Sequence, residues 1–528
     1  MSVIKRYPTL AFIIASTLLF YFIFSPAINI LHYFGDDYRY AFGGFFKSCS
    51  GDDGYYFMRT IGRPMQAYLD CLNYKFAFTL ERMKMLRGLS VVLLGWAVGL
   101  FAAWLYRLGL SIWSAFFVSG CLFLVQHLYP DTLAYGATSL PFAILLAIYS
   151  YWELDKIHAP WLQHKIHLGW AGVLLLVSML TYPAMAFFFC TMILTKVLFS
   201  PLQNWAKVRS AVMNEMVFFL VVGAIYFAWG YYNMHYHARA PIPESYRLSH
   251  PNLNPVEIMK RILLLMNVFD SRWQISPRMS SLWQGWFIAV CIVGGLSCGS
   301  LHFFKSDFYR QNKWQALTTL LQIVASASAV FVLGSAFFLV MPNLSLVENR
   351  VLFGVITSGL LLAVWGVMQW SYLLPEKMRT GFLVVVVGGC FLIQGRQANI
   401  VTLINALSHQ QYMQETHAVI AVHINQGGPL QRIHFIIPRS NYPYDRFFMA
   451  NTALLQLYGQ DHYKIAWCSL ARGVPGEEKD RQNETIACVN AQPKNTVAVT
   501  YSYDAEPFRK TPAMAIVKNH YQEIDPTS

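Results

Sequence analysis

The chain has 528 residues, 55% of them hydrophobic and only 13% charged. Soluble domains carry about 25% charged residues, so this composition argues against a string of water-soluble domains. The net charge of +13 does not indicate nucleic-acid binding, because Lys and Arg flank apolar runs, form no dense stripe and accompany no nucleic-acid motif. Interfacial cations facing anionic lipid head groups account for most of it.

Apolar runs able to cross a hydrocarbon core about 30 Å thick recur along the chain. They predict spans at 9–30, 87–106, 111–128, 136–152, 168–181, 183–199, 213–233, 283–304, 315–341, 351–373 and 381–394. The first follows Met1-Ser2-Val3-Ile4-Lys5-Arg6 and lacks a small-x-small cleavage site, so it reads as an uncleaved span. Eleven spans put the termini on opposite sides. With the N-terminus inside, inner segments hold thirteen cations: Lys5, Arg6, Arg107, Lys156, Lys165, Lys196, Lys207, Arg209, Lys305, Arg310, Lys313, Lys377 and Arg379. The three short outer loops hold only Arg350. Short-loop bias sets orientation, so the long loops 31–86 and 234–282 and the tail from 395 are expected outside. The fold class expected is an α-helical polytopic membrane protein over 1–394, with about eleven transmembrane helices. A small outer α/β domain over 395–528 follows, with strands at Arg432 to Ile437 and Thr496 to Tyr501 and a helix at Arg446 to Tyr458.

Cys49, Cys71, Cys468 and Cys488 fall in outer segments. An even number there suits an oxidising compartment, and Cys49–Cys71 and Cys468–Cys488 are the candidate pairs. The absence of Cys-x-x-Cys argues against a zinc or thioredoxin-like site.

Asp36 and Asp37 sit together just after the first span, in Phe34-Gly35-Asp36-Asp37-Tyr38-Arg39. Carboxylates at a membrane edge lose hydration and repel each other, which raises one pKa and suits a general base. The alternative is a polar helix end with Asp36 paired to Arg39. In Gly62-Arg63-Pro64, Pro64 can open a short helix running to Phe76, with Arg63 at its entrance. A guanidinium there binds either a phosphate or lipid head groups. Glu348-Asn349-Arg350 opens a late span, as a functional cation or as a surface pair with a snorkelling arginine. Asp131 reads as a sugar-hydroxyl contact or a solvated turn. Asp52 and Asp53 read as a turn, and His32, His235, His237 and His250 as weak candidates for aiding a phosphate leaving group. Pro183 in Thr181-Tyr182-Pro183 argues against substrate-hydroxyl contacts there. No Gly-rich phosphate loop occurs. Group transfer on the outer face, where nucleotides are absent, therefore needs a donor activated beforehand, such as a polyprenyl-phosphate sugar.

Phe34-Gly35-Asp36-Asp37-Tyr38-Arg39, Gly62-Arg63-Pro64 and Arg350, in that order within a multi-span layout, resemble the serotype-converting O-antigen glucosyltransferases, within the broader GT-C membrane glycosyltransferases. The resemblance covers roughly residues 1–400. It implies an enzyme of the bacterial inner membrane, N-terminus cytoplasmic and C-terminus periplasmic. Its donor would be a sugar, glucose above all, on undecaprenyl phosphate, and its acceptor a hydroxyl of lipid-linked O-antigen. One of Asp36 and Asp37 would deprotonate the acceptor for an inverting displacement through an oxocarbenium-like transition state. Arg63 and Arg350, with Arg39, would bind the donor phosphate, and Asp131 and Glu348 the sugar or acceptor. No metal or other cofactor is expected. Membrane lipids, a separate donor synthase and a flippase are the implied partners. Competing expectations are an O-antigen polymerase or ligase built on Arg239, His235 and His237, a lipid A sugar transferase, and a polyprenyl-sugar flippase. A flippase calls for charges near the bilayer midplane.

Overall fold

The computed structural model describes residues 8–33, 37, 49, 53–77, 79–134, 138–157, 165–201, 204–236, 252–268, 270–275, 281–340, 349–427, 432–437, 464–469 and 496–500. The chain divides into two compact units. The first comprises Met1–Ile28, Lys47–Asn73 and Met85–Thr402, and the second Asn29–Phe46, Tyr74–Lys84 and Leu403–Ser528.

Among the described residues, six helices are long and apolar enough to cross a membrane: Leu80–Arg107, Trp205–Asn233, Trp283–Lys305, Lys313–Gly334, Arg350–Ser371 and Glu376–Gln410. Four shorter apolar helices accompany them, at Pro8–Ile23, Ile112–Phe123, Lys165–Thr181 and Pro183–Phe199. Several expected spans are therefore interrupted. The span at 9–30 breaks after Ile23 and resumes as Ser25–Asn29, and that at 315–341 breaks at Ser335 between Lys313–Gly334 and Ala336–Leu339. The last span, expected to close at residue 394, instead belongs to the 52-residue helix Glu376–Gly427. Its apolar stretch ends near the expected place, but no proline follows to stop the helix. The helix ends only where Gly427, Gly428 and Pro429 meet.

Burial separates central from peripheral helices in the first unit. In Arg350–Ser371, 78% of the most apolar window is buried inside the protein, against 11% in Lys313–Gly334, whose surface is left to lipid. Small residues and hydroxyls hold the helices together, as expected where lipid competes for apolar contact. Ser16 donates to the Gly95 carbonyl, Ser119 to Val98, Ser150 to Ala171 and Ser178 to Ala143, each at 2.7 Å. Helices Ser281–Lys305 and Phe353–Ser371 meet backbone to backbone at Gly366, where an added Cβ would lie 2.0 Å from the Cys291 carbonyl oxygen. A half-buried Lys196 bridges Asp155 at 2.9 Å and Glu215 at 2.5 Å, and Tyr151 donates to Glu215 at 3.2 Å. These contacts tie three helices through one ammonium.

The second unit contains a three-stranded parallel sheet. Arg432–Ile437 lies in the middle, flanked by Lys464–Ser469 and Thr496–Thr500, with Phe435 opposite both Trp467 and Val499. Two of these strands are the expected ones, and Lys464–Ser469 is additional. The helix expected at Arg446 to Tyr458 lies outside the described residues. Also in this unit, Asp37 is fully buried and accepts a 2.7 Å hydrogen bond from the Tyr74 hydroxyl.

Candidate functional site

The site in the first unit begins with a turn between two short helices. Asp53–Thr60 ends in paired reverse hydrogen bonds, from Gly62 N–H to the Arg59 carbonyl at 3.1 Å and from Arg63 N–H to the Met58 carbonyl at 2.9 Å. This closing motif needs a left-handed residue, and Gly62 supplies φ of 84°. Pro64 then opens Pro64–Phe76 with a backbone already fixed for a helix and no donor to satisfy. The Gly-Arg-Pro sequence is thus a helix stop, a side chain and a helix start. Tyr226 donates to the Gly62 carbonyl at 3.2 Å and pins the turn from a membrane helix.

The Arg63 side chain enters the protein, 8% exposed, with its guanidinium 4.3 Å from the centre of the Tyr182 ring. Arg350, in the single 3-10 turn Asn349–Leu352, approaches the same ring at 5.7 Å. Pro183 explains why Tyr182 is there. A residue before proline is driven out of the helical region, and Tyr182 has φ −151° and ψ 96° between helices Lys165–Thr181 and Pro183–Ala186. The proline that argued against a role for this segment is what turns Tyr182 into a platform.

Asp70 lies two turns into Pro64–Phe76 and is 2% exposed. It accepts a 3.0 Å hydrogen bond from the Gln66 amide one turn earlier. One turn later, Asn73 donates to Thr138 at 2.7 Å, fixing this helix against the start of Ser139–Asp155. Burial pushes the Asp70 carboxyl up to about 7, against the lowering influence of Gln66, Ser139, Arg63 and Arg350. Cys71, the next residue, is joined to Cys49 by a disulfide.

Eleven buried side-chain polar atoms lack a hydrogen-bond partner among the described residues. Five of them gather here: Arg63 Nε, Gln66 Oε1, Asp70 Oδ1, Ser139 Oγ and the Tyr182 hydroxyl. Each such atom costs about 1–3 kcal/mol when left unsatisfied. Two guanidiniums sharing one ring, with free donors and acceptors around them, form a polar enclosure for an oxygen-rich anion.

Of the residues singled out in the sequence, the structure brings Arg63 and Arg350 together. Asp36, Arg39, Glu348, Asp52, His237, Arg239, His250 and Cys488 lie outside the described residues. Asp131 stands in the short helix Tyr129–Ala134, Asp53 begins Asp53–Thr60, and Cys468 lies in the strand Lys464–Ser469. His32 bonds the Ile30 carbonyl through Nδ1 at 2.8 Å, and His235 the Tyr231 carbonyl at 3.0 Å. No group of three or more His, Cys, Asp or Glu suited to a metal ion occurs among the described residues. Asp70 and Tyr182 are the residues that sequence reasoning missed. The available signals were a carboxylate one turn after a glutamine inside a short apolar helix, and an aromatic residue held extended by the proline after it. No protein-family model matches the chain, and no curated protein is detectably similar to it.

Proposed function

We propose that the chain is an inverting membrane glycosyltransferase that moves a sugar, glucose above all, from undecaprenyl phosphate to O-antigen or a related surface polysaccharide. The observation that carries this reading is the pairing of Arg63 and Arg350 on Tyr182 inside an enclosure of unsatisfied polar atoms. A phosphodiester brings one negative charge and several acceptor oxygens, which match two guanidiniums and the free Arg63 Nε. As the sugar leaves, charge grows on that phosphate, so the arginines bind the transition state more strongly than the ground state.

In this reading about eleven helices cross the bacterial inner membrane, with the N-terminus cytoplasmic and an α/β C-terminal domain periplasmic. The Cys49–Cys71 disulfide supports that side for the first long loop, since disulfides persist in oxidising compartments. The parallel strands support an α/β tail, because parallel pairs require crossover connections. One of Asp36 and Asp37 deprotonates the acceptor hydroxyl, and no metal is required. Donor synthesis and flipping belong to other proteins. A flippase fits less well, because the unsatisfied polar atoms gather around the Gly-Arg-Pro loop helix.

The test compares O-antigen sugars in cells with and without this gene, then with Asp36→Asn and Asp37→Asn. Loss of one sugar on deletion, and in at least one variant that still inserts in the membrane, is expected. Unchanged O-antigen on deletion overturns the reading, and normal glycosylation in both variants overturns the assignment of the base.

A further inference from the structure

We propose that Asp70 is the acid that hands a proton to the donor's phosphate as the sugar departs, an inference that rests on the lipid-phosphate reading above.

The geometry comes first. Asp70 is 2% exposed, so bulk water does not solvate its carboxyl. Gln66 holds Oδ2 in place at 3.0 Å, while Oδ1 makes no contact of full hydrogen-bond geometry, the Ser139 hydroxyl being its neighbour in weak hydrogen-bond reach of the carboxyl. That oxygen belongs to the enclosure that contains Arg63 Nε, Ser139 Oγ and the Tyr182 hydroxyl. A carboxyl kept only to balance Arg63 and Arg350 would be expected in an ion pair, yet no ion pair to Asp70 occurs among the described residues. Only one oxygen is held by a full hydrogen bond; the other, and the Ser139 hydroxyl beside the carboxyl, are left short of one.

The charges that face Asp70 come from every element around it. Arg63 stands at the start of its own helix and Arg350 in the turn before Phe353–Ser371, and both favour the carboxylate. Ser139, at the start of Ser139–Asp155, and Gln66 act in the same direction, and burial opposes all four. An incoming phosphate adds a negative charge and neutralises the arginines, which moves the balance towards the protonated acid. Donor binding therefore loads the proton at the place where it is used.

The step balances as follows. The bond between the sugar's anomeric carbon and the phosphate oxygen breaks, and its electron pair stays on that oxygen. A new bond forms from the acceptor oxygen to the same carbon, and the acceptor's proton passes to the general base of the reading above. The Asp70 proton moves to the departing phosphate, which leaves as polyprenyl hydrogen phosphate rather than as the dianion. The second ionisation of a phosphate monoester lies near pH 6, so a carboxyl titrating near neutrality is matched to it. Solvent then returns a proton to Asp70 and removes one from the base.

The experiment uses the full-length protein in detergent, undecaprenyl-phosphate glucose as donor and lipid-linked O-antigen as acceptor. Wild type is expected to lose kcat/KM as pH rises above about 7, and kcat only at higher pH, because bound donor favours the protonated acid. Asp70→Asn, close to isosteric and unable to transfer a proton, should lower kcat by about 10²-fold with little change in donor KM, and its alkaline limb should vanish. A thermal melt verifies that the variant is folded. An unchanged kcat and pH profile in folded Asp70→Asn overturns the role of Asp70 and leaves the enzyme reading standing. A flat wild-type profile between pH 6 and 9 overturns it without reference to any variant. A wild type that transfers no sugar overturns the glycosyltransferase reading, and this inference with it.

Discussion

Tyr182 serves two guanidiniums with one ring, which makes it the residue on which the arrangement of the site depends. Each cation–π contact contributes about 0.5–2 kcal/mol. Tyr182→Phe keeps the ring and should leave donor KM within about threefold of wild type. Tyr182→Ala removes both contacts, a loss of roughly 1–4 kcal/mol, and should raise donor KM about tenfold or more in initial-rate measurements. Equal effects of the two substitutions would show that the phenol oxygen, rather than the ring, matters. The two arginines were legible in the sequence because each stands at a boundary, one between Gly and Pro and the other at the head of a span. Tyr182 and Asp70 were not, because an aromatic residue and a carboxylate acquire meaning only from what packs around them. Nothing in the local sequence places Ser139 near residue 70. That proximity is a product of tertiary packing.

Among the elements, the junction of Asp53–Thr60 and Pro64–Phe76 aims Arg63, and its geometry depends on one left-handed residue. A side chain at φ of 84° costs about 1–2 kcal/mol. Gly62→Ala should lower the melting temperature in detergent and also weaken donor binding, because Arg63 is the next residue. A variant that melts earlier but binds donor normally would separate the turn from the site. The short helix was legible from Pro64 and its apolar spacing. Span ends were less so. Hydropathy marks where apolar residues stop, whereas a helix continues until a breaker stops it, as Glu376–Gly427 does. The breaks at residues 24 and 335 lie inside apolar runs, where hydropathy does not register them, although each has a local cause: Pro26 has no N–H to bond Phe22, and Gly334-Ser335 is a pair at which helices kink.

At the scale of the molecule, six long apolar helices among the described residues provide the frame, and the segment before them is fastened to itself by Cys49–Cys71 across 22 residues. Closing a loop of that size contributes about 3 kcal/mol. Cys71→Ser, or a membrane-impermeant reductant, should lower both melting temperature and transferase activity. The described free cysteines Cys121, Cys190, Cys291, Cys298 and Cys390 hold no bond for a reductant to cut, and Cys71→Ser separates the effect of Cys49–Cys71 from that of the expected Cys468–Cys488 pair. Unchanged activity after verified reduction would show that Pro64–Phe76 holds its place without the bond. The disulfide also bears on assembly. Its second sulfur belongs to the residue after Asp70, so the helix that carries Asp70 has a covalent tie one residue away. In the reading proposed above, that tie closes only on an oxidising side of the membrane. A copy whose loop stayed on a reducing side would then keep two thiols and an unfastened helix, so the bond would double as a record of which face the loop had reached.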